Sequence, residues 1–369
     1  MKVLCISTSS LKNNGITNIL LDYYGNMNQE KLTIHILNTR GITQEIEEKI
    51  HNLNLVIKKT SLRKNIISYV IKTAKLIKTE KYDIVHVNGS SSLLAIDLFT
   101  ALLGGCKTRI AHSHNTACNH YILNKLLKPL FKCMYTDALA CGQEAGKWLF
   151  GNRPFKVVRN GRDVALYRYD NEKRINLRMK MGISEDTLVI GHVGNFNVQK
   201  NQEFLVRVFY EIRKTGKKAK LYFMGEGELK SKIVALVKSV GLVEDVIFMG
   251  SISNVQDMLQ IMDIMVFPSL HEGLPLAVVE WQLAALPCLV SDNVTKECSF
   301  TNLVKFKSLT EGYTSWAEEV LRMDKKNNRD EIADLVVNAA IENGYDIKRN
   351  AQWFQSYLES KFYEECYEN

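Results

Sequence analysis

The stretch HEGLPLAVVE, His271 to Glu280, sets two carboxylates eight positions apart, Glu272 before a Gly-Leu-Pro turn and Glu280 after it. An ionised carboxylate only accepts hydrogen bonds, which suits it to the paired hydroxyls of a sugar. Pro275 fits the first turn of a helix, where its missing N–H costs nothing. LAVVEWQLAA then reads as a helix ending near Pro287, with Glu280 about one turn inside it. The unpaired N–H groups of such a first turn can hold a phosphate. Two acids bracketing a phosphate-binding turn fit a sugar nucleotide, with Glu280 on the ribose hydroxyls and Glu272 on a second sugar beyond the diphosphate. A loop acid followed by a solvated helix acid has the same spacing, so the spacing alone leaves both readings open.

A second stretch, VGNFNVQKNQEFL (residues 193–205), follows an apolar run. Gly194 lets the backbone turn close to a ligand, and Lys200, where loop enters helix, is placed to pair with a diphosphate. No GxGxxG occurs here, which speaks against a dinucleotide-dependent dehydrogenase. In the first half, NNGIT (Asn13 to Thr17) follows the first apolar run, and Gly15 is positioned to open a backbone nest for an anion. In RIAHSHN, alternation puts His112 and His114 on one side of a strand end. Zinc would need a third ligand, and neither an HExxH nor a nearby cysteine supplies it. Such a pair is either packed and hydrogen-bonded or sits at the mouth of a site.

These residues need elements to position them. KVLCIS, LTIHILN, YDIVHVN, TRIAHSH, ALACG and KVVRNG read as strands of a first half; LVIGHVG, KLYFMGEG, VIFMGS, MDIMVFPS and PCLVSD as strands of a second. Helical stretches separate them. Apolar strands alternating with helices specify parallel sheets covered on both faces, here an α/β chain of two doubly wound, Rossmann-like domains. Their bounds are set at residues 1–163 and 164–344, with a final helix, 345–369, returning to the first domain. The charged segment 165–184 reads as the linker. Ligands of such sheets bind beyond the carboxyl ends of the strands, and a cleft between two domains adds a second favoured place.

At 369 residues the chain exceeds one ordinary core. Its composition is that of a soluble globular protein, and no apolar run reaches the roughly 18 residues of a membrane span. The start reads as a strand rather than a secretory signal. Eight cysteines without a CxxC pair suggest neither zinc nor a disulfide framework, and point to reduced thiols in the cytoplasm. Residues 1–163 carry 23 Lys+Arg against 11 Asp+Glu, a net +12, whereas the remainder carries 25 against 29, a net −4. The first half is therefore expected to meet an anionic surface. Nucleic acid is excluded, because the aromatic-basic interleaving of its binding modules is missing. Residues 62–81 and 121–135 mix lysines with Ile, Leu and Phe at helical spacing. Basic amphipathic helices of this kind lie in the headgroup layer of an anionic membrane, here the inner face of the cell membrane; otherwise their apolar faces pack on the sheet.

Taken together, the motifs closely resemble the GT-B glycosyltransferases, specifically the large retaining family 4. That family carries an E-x7-E motif inside a pattern of the kind PS-x-x-EG-x-P-x-x-x-x-E, which Pro268 to Glu280 matches. The glycine loop at Gly15, the strand-end His114, Asn-Gly-x-Asp at Asn160 to Asp163, Lys200 and Gly-Glu-Gly at Gly225 to Gly227 extend the resemblance over the whole chain. It implies that the second domain binds a nucleotide sugar, a UDP-sugar, and the first a glycan acceptor, lipid-linked. Glu280 resembles the ribose-holding residue, and Glu272 with the amides of Gly273 and Leu274 those that contact the donor sugar. Lys200 resembles the lysine that neutralises the diphosphate, His114 the histidine facing the reacting sugar, and Gly15 a member of the donor loop. Asn195 stands where the family usually has arginine, leaving more of the diphosphate charge to Lys200, and Leu286 replaces a commonly small residue. No D-x-D appears, and the family generally needs no metal or cofactor. The stretch EWQLAALPCLVSDNVTKE is similar to members that assemble capsule or exopolysaccharide. A catalytically silent scaffold of the same fold is the alternative, favoured only by Asn195.

Overall fold

In a computed structural model describing residues 1–116, 118, 120–324 and 329–367, the chain divides into two units, Met1–Arg162 with Gly344–Asn369, and Asp163–Asn343. The first holds strands β1 (Lys2–Ser7), β2 (Thr33–Asn38), β3 (Val56–Lys59), β4 (Ile84–Gly89), β5 (Thr108–Ser113), β6 (Asp137–Ala140) and β7 (Lys156–Val157). They form one parallel sheet in the order β3-β2-β1-β4-β5-β6-β7. The second holds β8 (Leu188–Val193), β9 (Ala219–Met224), β10 (Val246–Gly250), β11 (Ile264–Phe267), β12 (Cys288–Ser291) and β13 (Val304–Lys307), parallel in the order β10-β9-β8-β11-β12-β13. Both orders reverse direction beside the unit's first strand, the switch point at which ligands of such sheets bind.

The central strands are buried on both faces, which is why they read as unbroken apolar runs: Leu4, Ile6, Val85 and Val87 in the first core, Ile190, Leu221, Phe223, Ile264 and Val266 in the second. Two strands absent from the sequence reading, β3 (VIKK) and β13 (VKFK), lie at sheet edges. Lysine there keeps an open edge from pairing with another chain, and it also erases the apolar signature.

The charged stretch 165–184, read above as a linker, is mostly helix. Val164–Tyr167 and Asn171–Lys180 are helical, and Arg174 and Arg178 both form ion pairs with Asp263 at the foot of β11. Asp263 also accepts the Val189 amide at 2.8 Å. The charges that suggested exposure are spent on fixing this helix to the second unit.

The chain passes between units twice, at adjacent points. Arg162 N–H donates to Tyr345 O at 2.8 Å and Ile347 N–H to Arg162 O at 3.0 Å. Gly161 lies against this crossing, where a Cβ would come within 2.6 Å of the Ile347 backbone nitrogen. The last helix, Ile347–Tyr367, packs on the first unit. Its Phe354 ring meets Tyr23, Tyr24 and His86, and Tyr357 Oη donates to Asp137 at 2.8 Å. Among the described residues no helix is long and apolar enough to cross a membrane.

Candidate functional site

In the second unit, the loop after β8 and the loop after β11 are bonded to each other over four points. The Leu270 N–H donates to Gln199 O at 2.8 Å, Gln199 Nε2 to His271 O at 2.9 Å, and Asn201 Nδ2 to Pro268 O at 3.2 Å. The fourth is ionic: Lys200 Nζ lies 2.6 Å from Glu272 Oε1, with the two side chains only 17% and 10% exposed. The ammonium also sits 4.5 Å from the centre of the Phe267 ring, a cation–π contact. Phe267 in turn meets Trp281 edge-on, so the lysine stands on the rigid strand end and helix beneath it. The expected lysine and the first expected acid are therefore one unit. A Cβ on Gly194 would press on the Lys200 stem at 3.1 Å; this glycine makes room for the lysine.

Beyond Glu272, Gly273 and Leu274 lead into the helix Leu276–Leu283, whose cap residue is Pro275. Pro275 thus stands one place before the helix rather than in its first turn. It offers no side-chain cap, and its carbonyl accepts only the Val278 N–H, at 3.1 Å. Glu280 is the fifth residue of that helix and half-buried. Asn195 opens the β8 loop, is exposed, and its carbonyl accepts Gln202 Nε2 at 2.9 Å. Gly225 and Gly227 bring the loop after β9 against the Gly194–Phe196 backbone. Phe196 N–H donates to Glu226 O at 2.9 Å, and a Cβ at Gly227 would lie 2.4 Å from Phe196 O.

In the first unit, the switch point carries a buried histidine cluster. Tyr24 Oη is 2.7 Å from His86 Nδ1, His86 Nε2 is 3.1 Å from His112 Nδ1, and the His112 and His114 rings lie 4.2 Å apart. Alternation did place His112 and His114 on one side, but His86, inside YDIVHVN, gave no signal beyond a strand. Asn88 Nδ2 faces acceptors, the carbonyls of His86 and Ile6, so its Oδ1 accepts from His114 Nε2–H at 2.9 Å. That fixes the tautomer, leaving His114 Nδ1 as a buried acceptor with no partner among the described residues. Burial pushes His114 down to about 4 and His86 to about 3, so both are neutral near pH 7.

The backbone nest expected at Gly15 is not formed. Gly15 begins the helix Gly15–Gly25 without a left-handed turn, and the Asn14 side chain accepts the Thr17 amide at 3.0 Å. A side-chain cap has done what a nest would do, although the space around Gly15 is open. The supporting residues Gln199, Asn201, Gln202, Phe267 and Asn88 were not singled out from sequence; the polar run NVQKNQ was the only hint of loop stitching.

Residues 173–322 match the family described as "Glycosyl transferases group 1". Over 357 residues, covering 93% of this chain and 92% of the other, the chain is 28% identical to EpsF of Bacillus subtilis strain 168, a protein named as a glycosyltransferase. It is 27% identical, over 63% of this chain and 64% of the other, to an Escherichia coli UDP-Gal:alpha-D-GlcNAc-diphosphoundecaprenol alpha-1,3-galactosyltransferase. The crystal structure of Anabaena HepE in complex with UDP superposes with a TM-score of 0.79 at 15% identity, over 98% of this chain and 100% of that one. Residues 173–322 thus carry a glycosyltransferase group 1 domain, in a chain whose two parallel-sheet α/β units have the GT-B fold.

Proposed function

We propose that this protein transfers a sugar, with retention of anomeric configuration, from a UDP-sugar to a lipid-linked glycan acceptor during assembly of a bacterial surface polysaccharide. The observation that carries the reading is the Lys200–Glu272 pair, held beside the start of the helix that bears Glu280. A lysine so placed can neutralise a diphosphate leaving group. Glu280 would take the ribose hydroxyls, and Glu272 and the amides of Gly273 and Leu274 the donor sugar. In a front-face transfer, the bond from the anomeric carbon to the β-phosphate oxygen breaks as the bond to the acceptor oxygen forms, on the same face. The acceptor proton passes to the departing phosphate. His114, kept neutral by burial, would face the reacting sugar. The E. coli relative's diphosphoundecaprenol acceptor and the UDP in HepE support these choices of acceptor and donor.

The test is a panel of sugar nucleotides with purified protein, with and without lipid-linked acceptors, read as nucleotide release and, by NMR, as product anomer. One UDP-sugar should give release that rises with acceptor. Release from none of the panel, or an inverted product, overturns the proposal. Two narrower expectations accompany it. Glu280→Ala removes hydrogen bonds to a charged group, costing about 1.5–3 kcal/mol, so calorimetry should give a donor Kd roughly ten to a hundred times higher; unchanged affinity removes Glu280 from the site. We also propose that turnover needs no metal, because the sequence lacks a D-x-D pair to hold manganese beside a diphosphate. Activity should survive EDTA; loss on chelation and recovery with manganese would refute this.

A further inference from the structure

The helix Tyr121–Met134 is amphipathic, yet the only residue it buries is Phe131. Its outward stripe, Ile122, Leu126 and Leu130 at successive turns, is apolar, with Ile122 76% and Leu126 69% exposed. Lys125 and Lys132 flank the stripe and are exposed. The helix Ile66–Glu80 repeats the arrangement: Ile67 and Ile71 point outward among exposed Lys64, Lys72 and Lys75, while Tyr69, Thr73 and Ile77 face the core. The helix Leu94–Leu103 packs against both of these, so the two stripes belong to one layer of the first unit. The loop before it ties their starts together. Arg63 Nη2 donates to Leu93 O at 2.8 Å, and the Ser92 N–H donates to Asn124 Oδ1 at 2.7 Å. Arg63 is itself held by buried Asp97 at 2.9 Å. The apolar side chains are therefore exposed on a fixed scaffold rather than on a loose segment.

Charge distinguishes this layer from an ordinary solvated face. Residues 49–79 contain eight Lys+Arg and residues 98–136 contain five, and neither stretch contains any Asp or Glu. A second copy of this chain would set lysines against lysines here, whereas an anionic surface complements them. We infer that this helix layer is a membrane-docking face: Ile122, Leu126, Leu130, Ile67 and Ile71 enter the interfacial region of an anionic bilayer while the lysines around them meet lipid phosphates. Sequence spacing left a packed alternative in which these apolar faces cover the sheet; the exposure of both stripes decides against it.

The experiment uses the full-length protein and vesicles of phosphatidylcholine alone or of equal parts phosphatidylcholine and phosphatidylglycerol. The chain should float with the anionic vesicles at low salt, and less at high salt. Lys125→Glu with Lys128→Glu should lower the partition coefficient roughly tenfold or more, since each lysine near the surface contributes about 1 kcal/mol. Ile122→Ser with Leu126→Ser should lower it comparably, and tryptophan placed by Leu126→Trp should shift its emission to the blue on anionic vesicles. Ile122, Lys125 and Leu126 are exposed and Lys128 half-buried, and circular dichroism checks that the variants fold. The inference is overturned by wild-type protein that ignores anionic vesicles at low salt, by variants that bind as wild type, or by a concentration-dependent dimer that Ile122→Ser with Leu126→Ser makes monomeric. Binding is read without any sugar nucleotide, so its failure leaves the proposed transfer standing.

Discussion

Replacing Lys200 by alanine is expected to lower kcat roughly 10²–10³-fold, the cost typical of deleting one preorganised stabiliser of a developing charge. The ammonium is fixed from three directions: its backbone N–H donates to Asn197 Oδ1 at 3.0 Å, its charge faces Glu272, and its stem lies over Gly194 above the Phe267 ring. A lysine that only balanced Glu272 would show its loss in stability. One that meets a diphosphate shows it in turnover. Lys200→Met separates the two by keeping the stem and removing the charge. Both variants should melt within a few degrees of wild type and both should be slow. A folded Lys200→Met enzyme with near-normal kcat would end the assignment, whatever the alanine variant does.

Gly227→Ala is expected to destabilise the second unit by about 3 kcal/mol or more, combining backbone strain with overpacking. Gly227 has φ +158°, and an added Cβ would lie 2.4 Å from Phe196 O and 2.6 Å from Phe196 N. Neither atom is the end of a flexible side chain. Phe196 is itself buried, and its carbonyl accepts the Leu229 N–H at 3.1 Å at the approach to the next helix. The loop must therefore shift, carrying Asn195 and Lys200 with it. The midpoint of urea unfolding should fall markedly. Gly15→Ala is the control, because that glycine starts a helix in open space, where alanine is neutral or gains about 0.4–1 kcal/mol. Equal midpoints for wild type and Gly227→Ala would show that the loop adapts and that the close approach is not required.

What sequence made legible follows from what burial does to composition. Central strands such as LVIGHV and IVHVNG are covered on both faces, so little but apolar residues is tolerated and the run stands out. The edges β3 and β13 escape for the opposite reason. The spacing of Glu272 and Glu280 was local and readable, because one loop and one helix set it. The partnership of Lys200 with Glu272 was not, since 72 positions separate them and only the adjacency of β8 and β11 joins them. The same holds for Asn88, which orients His114 from the neighbouring strand. Arg174 and Arg178 misled in the other direction: charge in a helix usually marks solvent, but here it satisfies one buried-edge aspartate from a distant strand.

The double passage at Arg162 and Gly344 bears on how the chain is made. The second unit is one uninterrupted stretch, Asp163–Asn343, whereas the first needs residues from both ends. Domains emerging from a ribosome ordinarily fold in order, the leading one first. Here the leading sheet waits: Tyr23, Tyr24 and His86 have no Phe354 ring to pack on until the second unit has been synthesised. The trailing unit can close first. The nascent first unit thus stays without the helix Ile347–Tyr367 while the second unit is made, and the Phe354 ring reaches His86 only afterwards.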